Sequence, residues 1–344
     1  MLYFWGMGTL THILVGAAVG DLILGKRVGK KAMLWGALAG NAPDVDAFMN
    51  FFVSEVDSLV LHRGITHSIF VSALVGPLLG LILSRYHGRS NLLGWMSLFT
   101  INLWLHEFLD TCTMYGTGLL MPFSDERFAF NNIFVVDPIY TIPLMLSTVM
   151  LVVMNSNYRH RLKWNSAGLV ISTFYMTLTF INHGVAANAL DRTLEQRKIN
   201  VINTNTAPTL FNSLLWNVTA QTDSGYWTGY YSVFDDVDTV NLYFLPKYAD
   251  LESKYDHDDS VAKLRRFSNG FGIIRETPEG SYFHDLRFGQ VQGWSDHDSP
   301  FAFSFNLSAD ADNSMVVQQG RILGLKKPVF YSMLERITNG PVSR

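Results

Sequence analysis

The strongest constraint in this sequence is a shortage of charge. Residues 1–183 hold 11 Lys and Arg and 10 Asp and Glu, whereas the shorter stretch 184–344 holds 15 and 19. Between the few charges of the first half lie six apolar runs, at about residues 8–25, 32–53, 65–84, 92–109, 137–155 and 166–183. A helix needs about 20 apolar residues to cross the hydrocarbon core of a bilayer. The expected fold class is therefore a mainly α-helical polytopic membrane domain of about six spans, residues 1–183. A soluble α+β domain with antiparallel strands, residues 184–344, is expected to follow it. The second run is irregular, because Ala32–Ala42 is followed by Pro43-Asp44-Val45-Asp46. Proline breaks a helix and acids inside a span are costly, so a broken or partly re-entrant segment is expected there.

Lysine and arginine in the loops set the orientation. Alternate loops carry Lys26, Arg27, Lys30 and Lys31, then Arg85 and Arg89, then Arg159, Arg161 and Lys163; the others carry only Arg63 and Arg127. This places both termini and the soluble domain on the extracytoplasmic side. The first run carries His12 and Asp21 and follows no basic region, so it is expected to be retained rather than cleaved. A net charge of −3 gives no basis for nucleic-acid binding. A hydrophobic content of 48% excludes a disordered chain. The single cysteine, Cys112, excludes an internal disulfide and a Cys-rich zinc finger.

Depth is the next signal. At about 1.5 Å per helical residue, His12, Asp46, His67, His106, Asp137 and His183 all come out roughly 20–25 Å from the cytoplasmic ends of their runs. They share one level near the outer face, and Asp21 is the exception. The residue types are those that bind zinc and similar divalent metals. His106 and Asp110 are spaced i, i+4 and share a helix face. Asp44 and Asp46 follow the helix-breaking proline. In His62-Arg63-Gly64-Ile65-Thr66-His67 the glycine permits a tight turn. The expected metal ligands are His12, Asp44, Asp46, His62, His67, His106 and Asp110, holding a divalent ion, zinc foremost, with manganese or iron also suited. Glu107 or Asp137 is expected to orient water or act as a base. Arg63, and with it Arg127, is expected to grip phosphate through its planar fork.

The set Thr11-His12, Pro43-Asp44-Val45-Asp46, His62–Ser68 and His106-x-x-x-Asp110-x-x-Thr113 resembles the YdjM-type family of bacterial inner-membrane proteins. The resemblance continues through Gly116–Leu120, Pro122-Phe123-Ser124 and Val136-Asp137-Pro138 and covers roughly residues 9–145. It implies an inner-membrane location, a metal-dependent hydrolase activity and, in some bacteria, control by the SOS repressor. In its ligands the chain also looks distantly like zinc-dependent phospholipase C: His106 and Asp110 resemble its HxxxD pair, Asp44 its early aspartate, and His67 or His62 the histidine after it. The chain lacks the N-terminal Trp ligand and later HxxxE pair of those enzymes, which points to one or two ions rather than three.

The expected function is thus a membrane-embedded metal-dependent hydrolase acting on a lipid or lipid-linked (phospho)ester at the outer face. A transporter is one alternative, although its site would lie near the midplane. A non-catalytic scaffold with a structural metal is another, and would fill every coordination position. In the second half, strands are expected at about 213–221, 226–234, 239–246, 270–275, 281–291 and 300–307, with a polar helix over 251–267.

Overall fold

The computed structural model describes residues 8–87, 91–156, 158–307, 316–317 and 327–340; Arg89 lies outside them. The chain forms two compact units. One comprises Met1–Met49, Leu61–Phe130 and Val135–Leu178, and the other Asn50–Val60, Asn131–Phe134 and Thr179–Arg344.

The first unit is helical. It contains α1 (Gly8–Val28), α2 (Lys31–Gly40), a 3-10 segment beginning at Pro43, the short 3-10 turn Ile65–His67, α4 (Ile69–Tyr86), α5 (Leu92–Thr111) and α6 (Pro138–Val153). A short helix α3 (Glu55–Leu61) precedes the Ile65–His67 turn, and the 37-residue α7 (Arg161–Arg197) runs on into the second unit. Among the described residues three helices, α1, α4 and α7, are long and apolar enough to cross a membrane; α6 is apolar but shorter. The expected six spans are therefore not reproduced. The second run fails because α2 stops at Gly40 after ten residues, about 15 Å of helix. In α5, the buried polar residues Asn102, His106, Glu107 and Asp110 interrupt the apolar sequence.

α1 and α2 pack backbone to backbone through Gly16 and Gly20 on one and Gly36 and Gly40 on the other. A Cβ at Gly36 would fall 2.1 Å from the Gly16 carbonyl oxygen, and one at Gly20 2.2 Å from that of Ala32. Small residues four apart allow this approach between membrane helices. The contact matters for the site, because Gly40 is where α2 hands over to the segment bearing Asp44 and Asp46. Gly36→Val is expected to lower the thermal midpoint in detergent, at an overpacking cost of about 1–3 kcal/mol or more. An unchanged midpoint would mean the two helices have room to separate.

The second unit holds two four-stranded antiparallel sheets. The first has the order β1 (Asn203–Pro208), β2 (Leu215–Gln221), β3 (Gly225–Ser232), β4 (Leu242–Pro246). The second has β5 (Gly272–Thr277), β6 (Gly280–Asp285), β7 (Ser304–Asn306), β8 (Val316–Val317). Ala186, Leu190 and Leu194 of α7 pack on Trp216, Val218, Tyr231 and Leu242 of the first sheet. The helix expected over 251–267 is two, α8 (Ala249–Lys254) and α9 (Asp259–Phe267). The break occurs where Asp258 accepts hydrogen bonds from the Ser260 and Val261 amides and caps α9. A final helix, α10, spans Lys327–Asn339.

On β6, His284 stacks on Phe301 at 4.5 Å and hydrogen-bonds with Ser304 Oγ at 2.6 Å. Burial, reinforced by the Arg275 charge, pulls its pKa down to about 4. The folded state thus resists protonation while the unfolded state takes a proton near pH 6.5. Between those values the unfolded state binds more protons, so stability falls as pH falls, by up to about 1.4 kcal/mol per pH unit. His284→Gln should flatten this part of the stability profile between pH 6.5 and 4. A variant with the wild-type slope would assign the loss to other groups.

Candidate metal centre

Three segments of the first unit bring the ligand-type residues together. The break after α2 presents Asp44, the Ile65–His67 turn presents His67, and α5 presents His106 and Asp110 from one face. His67 Nε2 and His106 Nε2 are 3.0 Å apart. Each also approaches both carboxylates: Asp44 Oδ1 at 3.6 and 3.5 Å, and Asp110 Oδ2 at 3.3 and 3.5 Å. Four atoms bonded tetrahedrally to one ion at about 2.1 Å would be about 3.4 Å from one another. Five edges of the set fit that figure to within a few tenths of an ångström. His67, His106 and Asp110 are buried, and Asp44 is half-buried.

The outer partners fix which nitrogen faces inward. His106 Nδ1 donates to the Gly40 carbonyl at 2.7 Å. A carbonyl only accepts, so the proton sits on Nδ1 and the Nε2 lone pair of the neutral ring faces the cluster. His67 Nδ1 lies 3.4 Å from Asp46 Oδ2 and 3.0 Å from Thr66 Oγ1, which orients it the same way. Two imidazole lone pairs and two carboxylate oxygens thus converge on one point, an arrangement that a cation would satisfy.

Asp46 organises the neighbouring turn. Its Oδ1 meets His62 Nδ1 at 2.9 Å, and its Oδ2 accepts from the Arg63 amide at 3.1 Å and the Thr66 hydroxyl at 2.7 Å. Asp44, Asp46 and His62 form a second group of candidate ligands that shares Asp44 with the first.

The remaining expected residues take other positions. His12 is outside both ligand groups; its Nε2 lies 3.2 Å from Asp110 Oδ1, and its ring stacks on His106 at 3.9 Å. Arg63, in left-handed backbone at φ 61°, is turned inward. Its guanidinium lies 3.0 Å from Asp110 Oδ2, donates to Thr113 Oγ1 at 2.6 Å and to the Asp110 carbonyl at 3.2 Å, and sits 5.2 Å from the Tyr115 ring. Arg63 is thus paired with a carboxylate of the cluster. Arg127 donates to the carbonyls of His62 and Gly116, at 2.6 and 3.3 Å. Glu107 takes the Ser72 hydroxyl from α4 and lies outside both groups. Asp137 is not part of the cluster either: it caps α6, accepting from the Ile139 and Tyr140 amides, and takes the Tyr175 hydroxyl at 2.7 Å. Its expected catalytic role thus has a structural competitor, because a carboxylate preceding Pro138 is well placed as an N-cap.

Sequence reasoning missed the Gly40 carbonyl and Tyr115. A backbone carbonyl has no side-chain signature, and an aromatic residue in a connector is common. The 110–136 connector is itself tied to the ligand turn. The Gly118 amide donates to the Arg63 carbonyl at 2.8 Å, and the Ile69 amide to that of Leu119 at 3.1 Å.

Known proteins bear on this geometry. No solved structure matches the chain. It is 36% identical over 121 residues to the inner membrane protein YbcI of Escherichia coli (strain K12), a match covering 35% of this chain and 69% of that protein. It is 31% identical over 139 residues to the uncharacterized protein YfhP of Bacillus subtilis (strain 168), covering 38% of this chain and 42% of that one. Residues 7–186, which contain every residue of the cluster, match the YdjM inner membrane protein family. The chain belongs to the YdjM inner membrane protein family.

Proposed function

We propose that this inner-membrane protein is a metal-dependent hydrolase whose substrate is a lipid or lipid-linked (phospho)ester at the outer face of the membrane. The observation that carries the proposal is the near-tetrahedral convergence of Asp44, His67, His106 and Asp110. The loop charges support the orientation. Lipid access is supported by the apolar surface beside the ligand turn. Phe70, Leu74, Leu78 and Ile82 are exposed at four-residue intervals along α4, and Phe70 meets the exposed Phe123 edge-on at 5.1 Å.

A divalent ion, zinc foremost, would lower the pKa of water towards ~7 and polarise a phosphoryl oxygen. The protein supplies the rest. Asp44, His67, His106 and Asp110 would hold the ion. His12 and Arg63 orient Asp110, and Asp46 orients His67. Asp44 is the most exposed of the four ligands, so its side is where water and substrate would arrive.

The deep burial of the other three ligands favours a second reading, a closed structural metal in a scaffold. Phosphate or headgroup release from phospholipid vesicles, measured with zinc or manganese present, separates the two. The hydrolase predicts turnover by the wild type and none by His106→Ala. Full metal occupancy without turnover across phosphoester lipids would support the scaffold.

A further inference from the structure

We propose that the centre is built for two divalent cations that share Asp44, and that its substrate is consequently a phosphoester rather than a carboxylic ester. The inference rests on the metal-dependent reading above. Asp44 belongs to two ligand groups at once, with His67, His106 and Asp110, and with Asp46 and His62. In each group the candidate ligand atoms lie within 4.8 Å of one another. Both close approaches of Asp44 to the histidines use Oδ1. A carboxylate has two oxygens and lone pairs enough for two ions, so Asp44 can serve both groups.

The two positions differ in kind. In the first, three of the four ligands are buried and five edges match a tetrahedron. The second is half-buried and has two carboxylates to one imidazole. His62 Nδ1 and Asp46 Oδ1 are hydrogen-bonded at 2.9 Å, a separation that an ion between them would keep, since the edge of an octahedron with bonds of about 2.1 Å is about 3.0 Å. Asp46 can take part because the Arg63 amide and Thr66 hydroxyl both engage its other oxygen, Oδ2. A half-open, oxygen-rich position suits a harder cation that keeps some water, such as manganese or magnesium.

Charge gives the reason for a second ion. Asp44, Asp46 and Asp110 bring three negative charges and Arg63 one positive. One divalent cation makes this set neutral, and a second gives it an excess of two positive charges. A neutral centre has little hold on an anion. Two ions about 3.5–4 Å apart, carrying that excess, hold the oxygens of one phosphoryl group.

The test uses the full chain in detergent, stripped with chelator and titrated with manganese. The expected result is two equivalents bound and an exchange-coupled electron paramagnetic resonance spectrum, which inorganic phosphate perturbs. His62→Ala should bind one equivalent and give an uncoupled six-line spectrum. One uncoupled equivalent in the saturated wild type would overturn the second position and leave the buried one standing. No bound manganese or zinc at all would overturn the reading beneath it. If His62→Ala fails to fold, His62→Gln and the wild-type spectrum decide.

Discussion

Asp110→Asn is expected to weaken divalent-metal affinity by well over 100-fold. Loss of an outer partner of a ligand costs roughly 10–100-fold, and Asp110 is more than that. Its Oδ2 faces both His67 and His106, its Oδ1 faces His12, and its charge meets Arg63. Asparagine keeps the shape but loses the charge, and it can turn an NH2 group towards two imidazole lone pairs. His12→Ala and Arg63→Lys should fall within the outer-partner range. The first removes a contact to the oxygen of Asp110 that faces away from the two histidines, and the second removes the planar fork that reaches Asp110 and Thr113 together. Competition against a chromophoric chelator gives the three affinities. Chelator-stripped wild type serves as the reference for folding. Equal losses in all three variants would contradict the division between ligand and orienting residue.

Asp21→Ala is expected to destabilise the helical unit by about 3–5 kcal/mol, the usual cost of stranding a buried charge. Arg161 and Asp21 are both buried, at 7% and 5% side-chain exposure. The guanidinium contacts Asp21 Oδ1 at 2.7 and 3.0 Å and donates to the Leu151 and Met154 carbonyls at the end of α6. Asn165 donates to the other Asp21 oxygen at 3.2 Å. Arg161 thereby ties together α1, α6 and α7. Replacing both charges with leucine should recover much of the loss, because a buried pair is often no better than apolar residues of its size. Thermal unfolding in detergent checks both variants. A single variant within about 1 kcal/mol of wild type would mean that water or headgroups reach the pair.

The sequence was most legible where one residue type had one physical use. Shared depth pointed to His67 and His106, the i, i+4 spacing to Asp110, and the position after Pro43 to Asp44; the fold brings these four together from segments 66 residues apart. Asp21 looked like an outlier because its partner lies 140 residues on, and nothing local announces such a pair. Asp137 matched the depth criterion but precedes Pro138, and the cap explains it as well as chemistry does. Arg63 lies beside the cluster, and the direction of its side chain depends on its left-handed backbone, which its sequence neighbours do not announce. The count of spans exceeded the three helices that qualify among the described residues, because α2 ends at the break Asn41-Ala42-Pro43, polar residues interrupt α5, and α6 is short. β1 escaped notice because Asn203–Pro208 is polar and becomes a strand only by pairing with β2.

The most direct test of the account is the metal content of the wild-type protein after mild purification in detergent, measured by mass spectrometry beside His106→Ala. The account predicts at least one tightly held divalent ion per chain, absent from the variant. No ion in the wild type, even after zinc or manganese is added back, would contradict it and leave the cluster to be held by protonated imidazoles instead.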